Sequence, residues 1–185
     1  TDRATICNMG AELGATTSVF PTDENALAYL KQQGREDEYV EMKADDDATY
    51  DETIEIDMST LVPMVAQPHS PDNVVDVKEL EGMKINQVVI GSCTNSSLPD
   101  MMRAAKILKG RKVAEDVSLV IAPGSSSILS MLAQNGALAD MIHAGARILE
   151  CGCGPCIGMG QAPLSKGVSL RTINRNFKGR SGTND

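Results

Sequence analysis

The sequence predicts an α/β protein with a largely parallel sheet flanked by helices, and two observations favour that class. Through residues 57–185, short apolar segments alternate with amphipathic segments of helical spacing, as in parallel sheets whose strands are joined by helices. Hydrophobic residues make up 42% of the 185 and charged residues 23%, a composition typical of globular domains. The chain divides in two, and we call residues 1–56 the first region and residues 57–185 the second region.

The first region is predicted to contain helices over 1–13 and 23–33 and short strands over 16–20 and 53–57. The first helix carries apolar residues at helical spacing and ends at Gly14, and Asp23 is a suitable cap for the second. Acidic residues are dense between 35 and 51, and we interpret this charged run as solvated surface.

The second region is predicted to alternate strands over 88–90, 117–122, 146–149 and 168–173 with helices over 100–108, 128–134 and 138–143. Prolines between 63 and 71 indicate a connector. Motifs at 91–96, 151–156 and 174–175 each follow a predicted strand. Because ligands of open α/β sheets collect beyond the carboxyl ends of the strands, we expect these three motifs to meet at one edge.

Charge and cysteine content limit the partners that we expect. The chain carries 17 lysines and arginines against 25 aspartates and glutamates, a net charge of −8. Nucleic acids and anionic membranes bind clustered cations, so this balance argues against both. No stretch approaches the roughly 20 apolar residues of a membrane span, and no signal peptide is visible. Five cysteines in a chain too long to need disulfide crosslinks favour a reduced, cytoplasmic protein.

Three of the cysteines lie within six residues, interleaved with glycine and proline: Cys151, Cys153 and Cys156. This density is typical of a metal or redox site. A redox-active dithiol would use Cys153 and Cys156, although the pair lies late in the chain and a further thiol precedes it. A structural zinc ion would add Cys93, although zinc needs four closed ligands and three of these lie in one turn.

A third interpretation is an iron–sulfur cluster held by Cys93, Cys153 and Cys156. Three thiolates on a four-iron cluster leave one iron without a protein ligand. That iron is a Lewis acid which binds a substrate hydroxyl and carboxylate, so the chemistry would be hydration or dehydration.

Four motifs together resemble the aconitase family. They are Gly91-Ser92-Cys93-Thr94-Asn95-Ser96, Cys153-Gly-Pro-Cys156-Ile-Gly, Asn174-Arg175-Asn176-Phe177-Lys178-Gly179-Arg180, and Asn8-Met9-Gly10-Ala11-Glu12 with Gly14-Ala15-Thr16-Thr17. They follow the order and the rough spacing of the family from Asn8 to Arg180. The resemblance therefore covers nearly the whole chain.

The resemblance implies a role for eight residues. They are Cys93, Cys153 and Cys156 as ligands of a [4Fe-4S] cluster, Asn174 as its neighbour, Asn8 near the cluster and the substrate, Glu12 as the catalytic acid at the open iron, and Arg175 and Arg180 as carboxylate-binding residues. Guanidinium groups suit this last role because they bind carboxylates bidentately. Cys151 has no counterpart among the ligands and is expected to be a spare thiol.

The resemblance also implies an activity, a [4Fe-4S]-dependent hydro-lyase. We expect aconitate hydratase, which interconverts citrate and isocitrate through cis-aconitate in the tricarboxylic acid cycle, because the Cys153-Gly-Pro-Cys156 spacer leans toward it. The alternatives are the large subunit of 3-isopropylmalate dehydratase or of a homoaconitase. From other classes, thiol–disulfide redox and a non-catalytic cluster-binding module stay open, and RNA contact is disfavoured by the acidic balance.

We expect a central fragment of such an enzyme, with 1–56 as the end of a preceding α/β domain and 57–185 as the cluster-bearing α/β domain. The expected partners are a di- or tricarboxylate substrate and the N- and C-terminal domains, which supply further catalytic residues in the family. The fragment is therefore expected to be inactive alone. In air it is expected to lose the cluster and to hold free thiols or a disulfide within 151–156.

Overall fold

The computed structural model describes residues 1–182, so the last three residues assigned to the second region lie outside it. The helices are α1 (Asp2–Met9), α2 (Glu24–Gln32), α3 (Leu98–Leu108), α4 (Ser126–Gln134) and α5 (Ala137–His143). The strands are β1 (Met64–Ala66), β2 (Val74–Asp76), β3 (Gln87–Gly91), β4 (Ser118–Ala122), β5 (Arg147–Ile148) and β6 (Ser169–Arg171). Within 1–182, no helix has the length and apolar character needed to cross a membrane.

Four strands form a parallel sheet in the order β5-β4-β3-β6, which confirms the predicted fold class. β3 pairs with β4 along its whole length, from Gln87 opposite Ser118 to Gly91 opposite Ala122. β6, the last strand in the chain, lies on the other side of β3. The winding of the sheet therefore reverses between β3 and β6. In open α/β sheets this switch point, at the carboxyl ends of the strands, is where ligands bind.

The core of the second region lies between this sheet and helices α3, α4 and α5. It is built from apolar side chains that are buried almost completely, among them Met101, Ile121, Leu132 and Met141. Ser97 begins α3 in a reciprocal capping box with Asp100, in which each side chain accepts a hydrogen bond from the other backbone N–H. Such caps satisfy the free N–H groups at the start of a helix, so this end of α3 is fixed by its own hydrogen bonds.

The first region contains two short α-helices, α1 and α2, which are connected by an ion pair. α1 continues as a 3-10 turn, Gly10–Leu13, and ends at Gly14, as predicted. Asp23 caps α2 by accepting a hydrogen bond from the Ala26 N–H at 3.0 Å. Arg3 of α1 donates to both carboxylate oxygens of the same Asp23, at 3.0 and 2.5 Å.

The strands predicted over 16–20 and 53–57 are wrong. Neither segment pairs with a neighbour, and their apolar side chains are exposed, with Val19 at 66% and Ile54 at 75%. An alternating pattern produces a strand only where another strand accepts its backbone hydrogen bonds. The segment 63–71, predicted as a connector, contains the short strand β1, which pairs antiparallel with β2.

Candidate functional site

A cavity of about 150 Å³ opens at the switch point of the sheet. It is lined by residues that follow β3, β5 and β6 and by one residue of α1: Asn8, Gly91, Ser92, Cys93, Thr94, Asn95, Cys153, Cys156, Ile173, Asn174, Arg175 and Arg180. Every predicted site residue is among them except Glu12. The three motifs predicted to meet at one edge of the sheet do so.

The turn that follows β3 is tightly constrained. Gly91 has φ +112°, and a Cβ at this position would lie 2.1 Å from the Ala122 carbonyl oxygen of β4. Ser92 also has a positive φ, +82°, although it is not glycine, and its side chain is buried. The Ser92 N–H donates to the Ala122 oxygen at 2.9 Å, and Ser96 donates to the Ser92 carbonyl. Non-glycine residues keep this conformation where surrounding contacts enforce it, and here it leads directly into Cys93.

The three predicted ligand thiols reach the cavity from two different loops. Cys93 and Cys153 are exposed, and their sulfur atoms lie 3.4 Å apart, with the Cys153 thiol donating to Cys93. Cys156 is buried on the 3-10 turn Gly154–Ile157. All five cysteines of the chain are free, and Cys151 does not line the cavity. The 3.4 Å contact places Cys93 next to Cys153 although 60 residues separate them in the sequence.

The thiols of Cys93 and Cys153 differ in their electrostatic environment. The hydrogen bond with Thr94 lowers the pKa of Cys93, and those with Cys153 and Ser92 act in the same direction. Its own hydrogen bond to Cys93 raises the pKa of Cys153, and the charges of Cys93 and Cys156 add to that rise. Thiolates bind metals and attack electrophiles, so Cys93 is the first of this pair to become reactive.

A chain of asparagine hydrogen bonds links the first region to the sheet. Asn95 donates to the Asn174 side-chain oxygen at 2.7 Å, and Asn174 donates to the Asn8 side-chain oxygen at 3.0 Å. Thr5, one turn before Asn8 on α1, donates to Asn95 at 2.9 Å. Because Asn95 and Asn174 both donate and accept, and Asn8 accepts, this network fixes the orientation of the three side chains beside the cavity.

Glu12 lies outside the cavity lining and is paired with Arg175. The Arg175 Nε lies 2.9 Å from a Glu12 carboxylate oxygen, and the Glu12 side chain is only 4% exposed. The same guanidinium donates to the Asn8 carbonyl at 3.3 Å. The predicted catalytic acid and a predicted carboxylate-binding arginine thus satisfy each other, in a pair that joins the first region to the second.

Arg180 has a hydrogen-bonding group without a partner. Its Nη2 donates to the Cys156 sulfur at 3.3 Å, and its guanidinium lies 5.8 Å from the ring centre of Phe177. Its Nε is buried and has no hydrogen-bond partner among residues 1–182. A buried donor without a partner costs free energy, and this nitrogen is the one unsatisfied hydrogen-bonding side-chain atom among the buried groups of residues 1–182.

The aconitase family model, described as aconitate hydratase, matches residues 1–185. The chain belongs to the aconitase family. Among its curated relatives, 3-isopropylmalate dehydratase large subunit 2 of Archaeoglobus fulgidus is 47% identical over 98% of this chain and 44% of its own length. The methanogen homoaconitase large subunit of Methanocaldococcus jannaschii is 44% identical over 97% of this chain and 45% of its own length. The 3-isopropylmalate dehydratase large subunit 1 of Thermotoga maritima is 44% identical over 98% of this chain and 44% of its own length.

The chain thus spans less than half the length of these aconitase-family relatives. Its residues fit the cluster that the family implies. Three free thiols open onto one cavity, and in a four-iron cluster each thiolate binds a different iron. Within the described part of the chain, no group of three or more His, Cys, Asp or Glu side chains is arranged to hold a single metal ion.

The dithiol interpretation receives no support from the same geometry. A redox pair at Cys153 and Cys156 requires an exposed first thiol with a lowered pKa. The pKa of Cys153 is instead raised, and the sulfur next to it belongs to Cys93.

Three side chains at the site have no role in the sequence analysis: Thr5, Thr94 and Asn95. Thr94 and Asn95 lie within the motif around Cys93. Two hydrogen-bonding residues directly after a predicted ligand could have been predicted to contact the site. Thr5 has no such signal, because only the packing of α1 against the sheet brings it to Asn95.

Proposed function

We propose that this chain is the cluster-bearing part of a hydro-lyase with the specificity of a 3-isopropylmalate dehydratase or a homoaconitase. The names of the relatives at 47% and 44% identity support this assignment. The expectation of aconitate hydratase, and with it a place in the tricarboxylic acid cycle, is not supported by those names. The substrate class is therefore a branched or extended hydroxy-dicarboxylate or tricarboxylate.

The observation that carries the proposal is one cavity shared by Cys93, Cys153 and Cys156. The thiols come from loops 60 residues apart in the sequence and line the same space. We propose that they hold a [4Fe-4S] cluster. When bound, the cluster supplies a Lewis-acidic iron for the substrate's hydroxyl and carboxylate.

The two arginines are proposed to bind the carboxylates of the substrate. Arg180 is anchored at one end to the Cys156 sulfur, and its buried Nε is free of protein partners among the described residues. A carboxylate oxygen is the acceptor that such a guanidinium lacks. Arg175 lines the same cavity but is engaged by Glu12.

Glu12 is proposed to exchange partners when the substrate binds. A substrate carboxylate that takes over Arg175 leaves the Glu12 carboxylate oxygen, now 2.9 Å from the Arg175 Nε, without its charged partner. An ionised carboxylate is a hydrogen-bond acceptor, so without Arg175 this oxygen is available to the substrate. Glu12 then becomes able to accept and return a proton, as a hydration or dehydration requires.

The remaining partners follow from the size of the chain. We propose that 1–56 is the end of a preceding domain and that 57–185 is the cluster-bearing domain. The first region exposes apolar side chains such as Leu13, at 83%, and Ile54, at 75%, which suits coverage by the rest of a longer polypeptide. A small subunit is a further proposed partner, because the relatives are named as large subunits.

Cluster binding is tested in the full-length protein, reconstituted anaerobically with iron and sulfide and followed by Mössbauer and EPR spectroscopy. Cys93→Ser, Cys153→Ser and Cys156→Ser are each expected to abolish the four-iron spectrum. Cys151→Ser is the matched control and should retain it, since Cys151 lies outside the cavity lining. An intact cluster in Cys93→Ser would refute the ligand set.

Specificity is tested by assaying the same reconstituted protein, with its small subunit, on 3-isopropylmalate, homocitrate and citrate. We expect turnover of one of the first two and little of citrate. Turnover of citrate alone would restore the aconitate hydratase assignment. Activity on none of the three would reject the hydro-lyase.

A further inference from the structure

A guanidinium lies directly behind the turn that carries Cys153 and Cys156. Arg171, on β6, donates through Nη1 to the carbonyl oxygen of Pro155 at 2.9 Å. The same oxygen accepts the N–H of Gly158 at 3.2 Å, which closes the turn. Pro155 is fully buried, so water is not available to replace a lost donor on that oxygen.

The other nitrogens of Arg171 fix it to the sheet. Its Nε donates to the Ser169 hydroxyl at 2.8 Å, and its Nη2 donates to the Gln87 side-chain oxygen at 3.1 Å. Gln87, on β3, is 2% exposed and also receives a hydrogen bond from Ser169 at 2.6 Å. The Gln87 amide donates in turn to the Ala162 carbonyl at 3.2 Å, in the segment that follows the turn. The network thus connects two strands of the sheet to the chain on both sides of Cys156.

Arg171 is half-buried, yet no carboxylate pairs with it in residues 1–182. Burial lowers its pKa, and the charge of Cys156 raises it. A half-buried cation without a carboxylate is unfavourable unless another negative charge lies nearby. The proposed cluster, with its thiolate ligands, would supply that negative charge.

We propose that Arg171 is a positioning residue which holds the Cys153–Cys156 turn against the sheet and places a positive charge behind the cluster. Its hydrogen bond to Pro155 fixes the backbone between the two thiols, and its charge offsets the negative charge of the thiolates and sulfides. The second part rests on the proposed function, whereas the first concerns the cluster-free chain as well. Groups behind the ligands of a metal site commonly change metal affinity by about 10- to 100-fold when they are removed.

Two variants separate the two parts of the proposal. Arg171→Gln removes both the charge and the guanidinium, and Arg171→Lys keeps the charge but not the planar arrangement of donors. Arg147→Gln is the matched control. Arg147 lies on β5 of the same sheet and donates to Gln161 at 2.5 Å, so it also contacts the segment after the turn but not the turn itself.

The first measurement is amide hydrogen exchange in the cluster-free full-length protein. The N–H groups of Cys156, Gly158 and Met159 are bonded within the turn, and we expect them to exchange at least about tenfold faster in Arg171→Gln and Arg171→Lys, as for loss of one hydrogen bond from a charged donor. Arg147→Gln should leave these rates unchanged. Unchanged exchange in both Arg171 variants would reject the positioning role. If Arg171→Gln does not fold, the exchange rates of Arg171→Lys alone test the positioning role.

The second measurement is the reduction potential of the reconstituted cluster, which a merely structural residue would not move. We expect a more negative potential in Arg171→Gln, because reduction adds negative charge that the cation offsets. Arg171→Lys should restore the wild-type value, and Arg147→Gln should keep it. An equal shift in Arg147→Gln, or no shift in Arg171→Gln, would reject the electrostatic role. A wild-type protein that assembles no cluster would contradict the proposed function and leave the exchange result standing.

Discussion

The two regions of this chain are stabilised in different ways. The second region has a core of its own, in which Val89, Met101 and Ile121 are fully buried between the sheet and its helices. In residues 1–56, all of which the structure describes, Gly10 is the one buried residue. The first region instead contacts the second through polar groups at the candidate site: the asparagine chain and the Glu12–Arg175 ion pair.

This difference shows where precision matters in each region. Apolar packing stabilises the second region, so removing side-chain volume from its core lowers the free energy of unfolding. Polar contacts hold the first region against it, and those contacts are made by the same residues that are proposed to bind substrate. A change that weakens the attachment of the first region is therefore expected to disturb the candidate site as well. The following predictions test this contrast, from the largest expected effect to the smallest.

The largest effect is expected from a cavity in the core. Ile121→Ala empties space around a side chain that is fully buried, and we expect a loss of about 2–5 kcal/mol in the free energy of unfolding. Ile54→Ala in the first region, where the side chain is 75% exposed, should change it by less than about 0.5 kcal/mol. Urea unfolding followed by circular dichroism measures both. Equal losses would show that the first region has a core that we have not identified.

A smaller effect is expected from the ion pair between the regions. Glu12→Gln leaves the Arg175 guanidinium without its charged partner in a mostly buried contact, at an expected cost of about 1–3 kcal/mol. Hydrogen exchange along α1 should accelerate while the sheet stays protected. Glu38→Gln is the control, since its pair with Arg35 is exposed and lies within the first region. Accelerated exchange in the sheet itself would contradict the separation of the two regions.

Thiol reactivity distinguishes the site from the helix thiol of the first region. The Thr94 hydrogen bond lowers the pKa of Cys93, so its thiolate fraction near pH 7 is higher than that of an ordinary cysteine with a pKa of about 8.5. In the cluster-free chain, iodoacetamide should modify Cys93 before Cys7 and Cys153, as mass spectrometry of the peptides would show. Thr94→Val should slow the modification of Cys93 at that pH. Faster modification of Cys153 would reverse the assignment.

The smallest effect is expected from acid on the Arg3–Asp23 pair. Hydrogen bonds from Arg3, and then from the Ala26 N–H, hold the pKa of Asp23 well below its usual value. The stabilisation is therefore present above the unfolded pKa of about 3.9 and is lost as the pH falls through the lower folded value. In an NMR titration from pH 5 to pH 2, Asp23 should stay ionised at pH values where an unpaired aspartate is already protonated. The first turn of α2 should loosen only as Asp23 becomes protonated. Asp23→Asn should remove that pH dependence, and an ordinary titration of Asp23 would contradict the pair.

The sequence was a good guide to the second region and a poor one to parts of the first. Strands such as 87–91 and 118–122 are apolar, end at glycine or proline and are separated by helices, so local patterns and parallel pairing agree. The segment around Ile54 shows an equally regular alternation but has no strand beside it. A local pattern cannot report whether a partner for its backbone exists elsewhere in the fold.

Composition, motif order and the cysteine spacing determined by themselves the fold class, the family resemblance and the set of candidate residues around Cys93 and Cys153. Only the tertiary structure decided how those residues are engaged: that the sheet reverses between β3 and β6, that Glu12 is held by Arg175, and that Arg171 lies behind the cysteine turn. The physical reason is range. Residue type and spacing specify chemistry along the chain, whereas ion pairs and hydrogen bonds between separate elements, such as those of Glu12 with Arg175 and of Arg171 with Pro155, form only when strands, helices and loops pack.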